Sequence, residues 1–568
     1  MATADLIITN ARIYTVDAAS PWAEALAVRD GRLLAVGSET DVAAFRGPGT
    51  IEHVLDGAFV MPGLIDVHNH HAVAGKADLF ELGFSANAGY QEILQAVEKH
   101  AAKLPEDAWV TGGSWGSTLM EELSTEQARH GLDQAAGGRP VMLSDDSHHN
   151  RWVSTRALEL AGITAESDPG EGGIVVLDGV TGRPTGVLLE AAGIPVEQAK
   201  AASAALTAEQ HRLASHRGIE ILSSYGITAI QDAAVSVDIL GALKSLDTAG
   251  ELNAWVVSSM LVNDQIFGFQ PTGDALLAQA NNFRSIHHRP DFVKIFLDGV
   301  PPARTGAFLE PYLPDDAHGA HFCGETTMPA DQLLDWLRRT AEQGLSAKIH
   351  CTGDASARMV LDAVEVIRQE GFTAARYQIA HGQFVHEDDV PRFAALSVSA
   401  DISPFLWVPG VIPQAIATAL PAGIASKLQP NRDLLDSGAL VAGGSDWPVS
   451  ESPNAWEGIQ GLVTRMDPTG QFPGQLWPEQ AITLEEAIAV FTINAAEAMG
   501  LGEITGSLSS GKSADFVVLD RNPFDIDISS VASLRAEQTW FAGRKVFERA
   551  TAMDRATASD RATAMPAD

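Results

Sequence analysis

Short apolar segments that alternate with helical patterns constrain the fold of this chain more than any other feature. Eight such segments follow residue 60, at residues 64–68, 227–232, 254–260, 292–297, 346–350, 377–381, 397–402 and 440–445. Amphipathic helical patterns lie between them, for example over residues 329–344 and 355–371, each closed by a glycine. Strands that alternate with helices are typical of a parallel sheet. We therefore predict an α/β fold, a distorted TIM-like (β/α)8 barrel over residues 61–495.

Both ends of the chain have a different texture, with short strands and polar turns. Residues 1–60 contain apolar segments separated by turns such as Asp30-Gly31, and similar segments return within residues 496–548. We expect these two regions to build one small β-sandwich domain beside the barrel. Residues 549–568 repeat the unit Arg-Ala-Thr-Ala three times with almost no large apolar side chain, which predicts a disordered tail.

A long insertion separates the first predicted barrel strand from the second. Residues 72–215 fall in this connection, and the loops that follow barrel strands surround the face where barrel enzymes carry out chemistry. Aromatic and imidazole side chains are frequent in the insertion: Trp109, Trp115, His148, His149 and Trp152. We interpret the segment as a lid or pocket wall. An extra structural subdomain is the alternative, and the two are compatible.

Charge and composition exclude several classes of protein. The chain carries 73 acidic and 38 basic side chains, a formal net charge of −35, which repels nucleic-acid phosphates and anionic membranes. It contains neither an apolar run of 18 residues nor a basic leader with an apolar core, so we expect no membrane span and no secretion signal. Two cysteines cannot form a disulfide framework. A cytoplasmic protein with a small-molecule partner is the expectation.

Polar residues at the ends of the predicted strands indicate a metal site. His68 and His70 are two positions apart on the first strand, so their side chains point to the same side and can share one ion. Lys294 lies within an apolar strand, where a bare ammonium is unfavourable. Three more polar residues end predicted strands: His350, His381 and Asp446. Each of them alone could simply cap its strand, but together they converge on one end of the predicted barrel.

These residues lie in segments that resemble the amidohydrolase superfamily, and specifically its family 3, or YtcJ-like, branch. The resemblance extends from Asn10-Ala-Arg-Ile-Tyr-Thr-Val to Gly511-Lys-Ser-Ala-Asp-Phe. It includes Val293-Lys-Ile-Phe-Leu-Asp-Gly299 and Gly444-Ser-Asp446-Trp-Pro. It implies a metal-bearing barrel, a small β-domain built from both termini, and a tendency to self-associate as a homo-oligomer.

The resemblance also implies a role for each strand-end residue. His68 and His70 match the first-strand ligands, and Lys294 matches a lysine that is carboxylated on its side-chain nitrogen and bridges two metals. The remaining ligands are His350 and His381 for the second ion, and Asp446, which binds the first ion and handles protons. One or two divalent ions are implied. Imidazole and carboxylate ligands suit zinc, and manganese, iron and nickel remain open.

The implied reaction is hydrolysis by metal-activated water. Within the branch the chain resembles N-substituted formamide deformylases, so the expected substrate is an amide or N-substituted formamide whose C–N bond breaks to give an amine and a carboxylic acid. A hydrolase of an ester, lactone or carbamate, or a deaminase, would use the same site. A metal-binding or regulatory protein without turnover is a third possibility.

Five residues outside the ligand set are candidates for substrate binding. His149 aligns with a family histidine, although Ser147 and Ser154 replace the usual aspartate and asparagine beside it. Trp115 is predicted to form a pocket wall, and Arg304 is predicted to bind a carboxylate. Phe405 and Trp407 are predicted to make apolar contacts. Packing in the core is the alternative for Trp115, and exposure to solvent is the alternative for His149 and Arg304.

Overall fold

A parallel sheet of eight strands forms the centre of the protein. The computed structural model describes residues 2–170 and 172–550. The strands neighbour one another in chain order. They are β1 (Leu64–Asn69), β2 (Ile227–Val235), β3 (Trp255–Leu261), β4 (His288–Phe296), β5 (Ser346–Cys351), β6 (Tyr377–His381), β7 (Val398–Ile402) and β8 (Val441–Gly443). All eight predicted strands are therefore found, and the predicted α/β barrel is confirmed.

The two edges of this sheet meet through the segment that follows β8. The amide of Asp446 donates to the carbonyl of His68 at 2.7 Å, and the amide of His70 donates to the carbonyl of Trp447 at 2.9 Å. Strand β8 is shorter than predicted because residues 444–446 leave the ladder, with Asp446 in a left-handed conformation at φ 58°. This closure brings the end of β8 onto the end of β1.

Helices cover the outside of the barrel and bury their apolar faces against it. Helix Ala330–Glu342 follows Pro329 and packs through Leu333 and Leu337, as its pattern predicts. Helices His71–Phe80 and Ala208–Ser224 lie at the two ends of the insertion. The helices outside it are Glu39–Ala43, Val237–Ala249, Asp274–Leu277, Ala280–Phe283, Ala330–Glu342, Asp354–Gln369, Val390–Leu396, Val411–Ala419, Ala422–Ala425, Asn431–Asp436, Ala455–Thr464, Leu484–Val490 and Ile493–Ala498. Within residues 2–170 and 172–550, no helix has the length and apolarity needed to cross a membrane.

The insertion after β1 has a sheet and an apolar core of its own. Its strands are Leu82–Gly83, Val110–Trp115, Val141–Asp145, Asn150–Val153, Ile174–Leu177 and Pro184–Leu189. Its helices are Tyr90–Ala101, Met120–Leu123, Glu126–Ala135, Thr155–Ala161 and Ile194–Ala204. Trp115 and Trp152 lie in the core between these layers. The insertion is therefore a structured unit rather than a long irregular loop.

The two chain ends pair in one mixed sheet next to the barrel. Strand Phe59–Pro62 pairs with Phe516–Leu519, which joins the N-terminal and C-terminal segments before the chain enters β1. The other strands of this sheet are Arg12–Tyr14, Trp22–Ala23, Ala536–Phe541 and Arg544–Glu548. A second sheet contains Leu6–Thr9, Ala25–Arg29, Arg32–Gly37 and Ile51–Val54. The predicted tail lies outside the described residues from position 551 onward.

Candidate metal centre

Three buried side chains converge where β1 ends and β8 turns away from the sheet. The Nε2 atoms of His68 and His70 lie 3.5 and 3.3 Å from Oδ1 of Asp446. Each of the three residues offers a ligand atom, and these atoms lie within 4.8 Å of one another. His68 lies at the end of β1, and His70 follows that strand as the residue that precedes helix His71–Phe80. The barrel closure places Asp446 opposite them.

The hydrogen-bonding state of these atoms fits a divalent ion. Nε2 of His68 and Oδ1 of Asp446 are buried and have no hydrogen-bond partner among the described residues. Buried polar atoms are normally paired, so unpaired acceptors that face one another need a cation or a donor between them. Neutral imidazole nitrogens and a carboxylate oxygen are suitable zinc ligands. The residues present therefore fit the metal that the fold implies.

Two further histidines extend the cluster. Nδ1 of His381 lies 3.6 Å from Oδ2 of Asp446, and the ring centroid of His381 is 4.5 Å from that of His68. The ring of His350 lies 4.6 Å from that of His381. Its Nε2 atom is 3.0 Å from the carbonyl of Gly299. The structure thus brings His350 and His381 beside Asp446, with Nε2 of His350 directed at a backbone oxygen.

Lys294 lines the same pocket and forms no ion pair within residues 2–170 and 172–550. Its side chain is buried, and its Nζ lies 4.8 Å from the centre of the Phe296 ring. Burial and the nearby charge of Lys348 lower the pKa of Lys294 to about 7, against the opposing effect of Asp446. A large fraction of this lysine is therefore an uncharged amine near neutral pH, which is the form that reacts with carbon dioxide.

The histidines are held in the neutral form that binds metal. Burial is the largest cause that lowers the pKa of His68, His350 and His381 well below the ordinary value. Neighbouring positive charge, including that of Lys294, acts in the same direction. Neutral imidazole keeps a lone pair for a cation, so these shifts favour ligation.

A carboxylate and a lysine behind His68 were missed by the sequence analysis. Nδ1 of His68 donates to Oδ2 of Asp401 at 2.8 Å, and the ammonium of Lys348 donates to the same oxygen. All three side chains are buried. The available signal was two charged residues inside apolar strands, since Lys348 lies in β5 and Asp401 in β7. Such residues require partners when they are buried.

The predicted substrate residue His149 does reach the metal residues. Its Nδ1 donates to Oε2 of Glu190 at 2.7 Å, and its ring centroid lies 5.0 Å from that of His350. Burial opposes the charged form of His149, but the Glu190 carboxylate outweighs it and the pKa of His149 is raised. His148, which the sequence analysis did not choose as a site residue, lines the pocket as well. The insertion therefore contributes a wall of the site.

The two serines that depart from the family pattern have local structural roles. The hydroxyl of Ser147 donates to Oδ2 of Asp145 at 2.8 Å. Ser154 caps helix Thr155–Ala161 by accepting a hydrogen bond from the amide of Ala157. These contacts hold the loop that carries His149. The two serines make them at positions where the family pattern has an aspartate and an asparagine.

Three of the predicted substrate contacts need correction. Trp115 is fully buried in the core of the insertion, where its indole N–H donates to the carbonyl of Leu143 at 3.2 Å. Trp407 is also fully buried, with the guanidinium of Arg465 packed 4.3 Å from its ring centre. These indoles pack in cores because their strands or loops are covered on both faces, which leaves no surface for a substrate.

Arg304 is likewise occupied by the protein itself. Its Nε donates to Asp315 at 2.9 Å, and its Nη1 donates to the carbonyl of Leu313 at 2.6 Å. The guanidinium therefore fastens the loop after β4 instead of presenting itself to a substrate carboxylate. Phe405 is the remaining candidate, and it is half-buried in the wall of a cavity next to the site.

A cleft of about 680 Å³ leads to the metal residues. It lies between the insertion and the barrel, and it shares the side chains of Val73, His148, Phe267 and Val449 with the small pocket that contains Asp446. Its size lies within the range of small-molecule sites. The arrangement joins a buried cation site to a route from solvent, as a hydrolase requires.

Comparisons with known proteins agree with this geometry. The sequence profile of the amidohydrolase family matches residues 55–547. The chain is 30% identical to an N-substituted formamide deformylase of Arthrobacter pascens, over 96% of this chain and 98% of that protein. It is 27% identical to the YtcJ protein of Bacillus subtilis, over 95% and 98% of the two chains.

Solved structures agree on the fold. An uncharacterised metal-dependent hydrolase of Pyrococcus horikoshii superposes with a TM-score of 0.73 at 21% identity, over 92% of this chain and 99% of that one.

Proposed function

The chain belongs to the amidohydrolase family, and from that premise we propose that it hydrolyses the C–N bond of a small amide or N-substituted formamide to an amine and a carboxylic acid. That it is a metal-dependent hydrolase of C–N bonds follows from the family and from its relatives. The observation that carries the proposal is the set of buried, unpaired ligand atoms of His68 and Asp446 at the end of the barrel. The amide or formamide class rests on the name of the relative from Arthrobacter pascens.

We propose that His68, His70 and Asp446 hold one divalent ion, with zinc as the first choice, and that His350 and His381 hold a second. Lys294, carboxylated on Nζ, would become an anionic bridging ligand in place of a buried ammonium. A bound ion supplies Lewis acidity and lowers the pKa of a water molecule toward neutrality. The protein supplies the remaining steps through its own side chains.

Asp446 is placed to carry the proton. Its carboxylate contacts His68 and His70 through Oδ1 and His381 through Oδ2. A water molecule and a substrate carbonyl bound among these side chains would both lie within reach of Asp446. It accepts a proton as water adds to the carbonyl carbon. It then returns that proton to the leaving nitrogen as the C–N bond breaks, which releases a neutral amine and a carboxylic acid. The acid then ionises to a carboxylate and gives its proton to solvent.

His149 is placed to polarise the carbonyl. Glu190 binds its Nδ1 and favours the charged ring, which leaves the Nε2–H free to donate to a carbonyl oxygen in the pocket. Negative charge grows on that oxygen during addition, so a fixed donor stabilises the transition state more than the ground state.

A product assay tests the proposed reaction. The purified holoenzyme would be incubated with N-alkylformamides, acetamides and the ester analogues of equal chain length, and amine, alcohol and ammonia would be quantified. Amine released from formamides or amides, and abolished in Asp446→Asn, is the expected result. Alcohol or ammonia without amine would replace the proposal with an esterase or a deaminase. Bound metal without any turnover would favour a regulatory protein.

A further inference from the structure

A second cavity of about 370 Å³ adjoins the large cleft and shares Ala86, Asp146, Val449 and Glu451 with it. We will refer to it as the acidic chamber. Its wall contains apolar side chains from the loop after β7 and from helix Val411–Ala419, including Phe405, Leu406 and Ile412. A narrow throat, lined by Asp446, His381 and Gln383, shares Leu406, Ile412 and Val449 with the acidic chamber.

The charges on the wall of the acidic chamber have one sign. Its charged residues are Asp146, Glu451, Glu457 and Asp467. In the described part of the chain, no lysine, arginine or histidine lines it, and none of the four carboxylates takes part in an ion pair. Asp146 and Glu451 also line the large cleft. That cleft contains Lys76, Arg151 and Arg217 as well, each paired with an acidic side chain.

The throat carries an independent sign of a ligand that donates a hydrogen bond. Gln383 is 94% buried, since its exposed fraction is 6%. Its Oε1 atom has no hydrogen-bond partner among the described residues. A buried acceptor without a partner is unfavourable unless a ligand supplies a donor. Because Gln383 lies beside His381 and Asp446, that donor would be attached to the atom that Asp446 protonates.

From these observations we infer that the acidic chamber and its throat bind the amine side of the substrate and hold the departing amine as an alkylammonium ion. The inference rests on the proposed hydrolysis and adds which cavity receives the amine side of the substrate. Gln383 accepts a hydrogen bond from the leaving N–H. The apolar wall contacts the N-substituent, and the carboxylates offset the positive charge after the amine takes up a proton from solvent.

The charge distribution separates the two products. A primary alkylamine is protonated at neutral pH, as a lysine side chain is, and the carboxylic acid is ionised. The cation is attracted to the acidic chamber, and the anion is repelled by it. The substrate class is therefore an amide with an apolar N-substituent that becomes a hydrophobic ammonium.

Binding of three isosteric probes to the holoenzyme tests the inference without any need for turnover. Hexylammonium, hexanol and hexanoate would be titrated by calorimetry at neutral pH and moderate salt. We expect hexylammonium to bind about tenfold or more tightly than hexanol, and hexanoate to bind more weakly than both. Equal affinity for the three probes would overturn the inference.

Variants locate the binding site. Glu457→Gln/Asp467→Asn removes two carboxylates that line the acidic chamber and not the large cleft, and it should weaken hexylammonium about tenfold while leaving hexanol unchanged. Asp78→Asn, the matched control, removes one carboxylate from the large cleft and should leave hexylammonium affinity unchanged. Equal weakening by the control, or none by the double variant, would contradict the assignment.

A third variant guards against misfolding of the double variant. Ile412→Trp fills the junction of throat and acidic chamber without a change of charge, and it should abolish hexylammonium binding while metal content is retained. Binding that survives Ile412→Trp would place the ammonium elsewhere. If amides are hydrolysed but the three probes bind equally well, the inference is overturned and the proposed reaction stands. If hexylammonium binds preferentially but no C–N bond is hydrolysed, the acidic chamber remains an ammonium-binding site and the proposed reaction is overturned.

Discussion

Nδ1 of His68 lies 2.8 Å from Oδ2 of Asp401, a buried carboxylate that also accepts a hydrogen bond from Lys348. This contact fixes the proton of His68 on Nδ1 and directs Nε2 toward Asp446. A carboxylate behind a metal-binding histidine orients the ring and raises its strength as a ligand. The sequence pattern identified His68 as a candidate ligand but did not identify Asp401, which orients it.

Asp401→Asn should weaken metal binding without removing a ligand. The amide holds His68 less firmly, and loss of such a partner typically lowers metal affinity about 10- to 100-fold. The Kd for zinc would be measured by competition with a chromophoric chelator. Because Lys348 loses its partner in this variant, Asp401→Asn/Lys348→Met serves as the control for an unpaired buried charge. An unchanged Kd in both variants would show that Asp401 does not support the site.

Asp446→Asn should remove most turnover. An asparagine can occupy the same space but cannot accept and return a proton, and loss of such a group lowers kcat about 10²- to 10⁴-fold. Metal content measured on the same sample separates this effect from loss of the ion. A kcat near that of the wild type would exclude Asp446 as the proton carrier.

Lys294→Ala should lower metal content, and short carboxylates such as acetate or propionate should restore part of the activity. The reason is that the added carboxylate can occupy the position of the carboxylated side chain. Lys99→Ala, at an exposed position, is the matched control and should have no effect. Full metal content in Lys294→Ala would contradict a bridging role for this lysine.

Carboxylation of Lys294 should depend on pH in a defined direction. The ammonium form does not react with carbon dioxide, and the pKa of about 7 means that the reactive amine increases as the pH rises through that value. Metal-free protein supplied with zinc at one fixed partial pressure of carbon dioxide should therefore gain activity faster at about pH 8 than at about pH 6, with activity assayed at a common pH. A carbamate carbon signal from ¹³C-bicarbonate, absent in Lys294→Ala, would identify the product. No such signal with full metal loading would contradict the carboxylated lysine.

The barrel was predictable because each strand is an apolar segment with distinct boundaries. The convergence of the candidate ligands was predictable for a related reason, since parallel strands end at one face. His68 and His381 lie at the ends of β1 and β6, and Asp446 follows β8. The pairing of Lys348 with Asp401 was not, because it depends on which residues of β5 and β7 face the barrel interior at the same level. Sequence shows the charge but not that register.

The aromatic candidates were uncertain for a physical reason. Tryptophan contributes the same apolar surface to a core and to a pocket, and only the layers on either side decide between them. The insertion sheet is covered near Trp115, and the loop after β7 folds Trp407 inward, whereas Phe405 stays half-buried at a cavity. These outcomes depend on tertiary packing that a single sequence does not contain.

Trp115→Phe should therefore reduce stability and leave substrate binding unchanged. The variant loses the hydrogen bond to the Leu143 carbonyl and leaves a small void, with an expected cost of about 1 to 3 kcal/mol. Thermal unfolding and KM would be measured together. A raised KM without a lower Tm would restore Trp115 to the substrate pocket.

Metal content per chain tests the central claim most directly. Elemental mass spectrometry would be applied to protein purified without chelators and reloaded with zinc or manganese, alongside His68→Ala/His70→Ala. The account predicts about one to two divalent ions per chain in the wild type, with two if Lys294 bridges them, and a clear loss in the double variant. A wild-type chain that neither retains nor takes up a divalent ion would contradict the account.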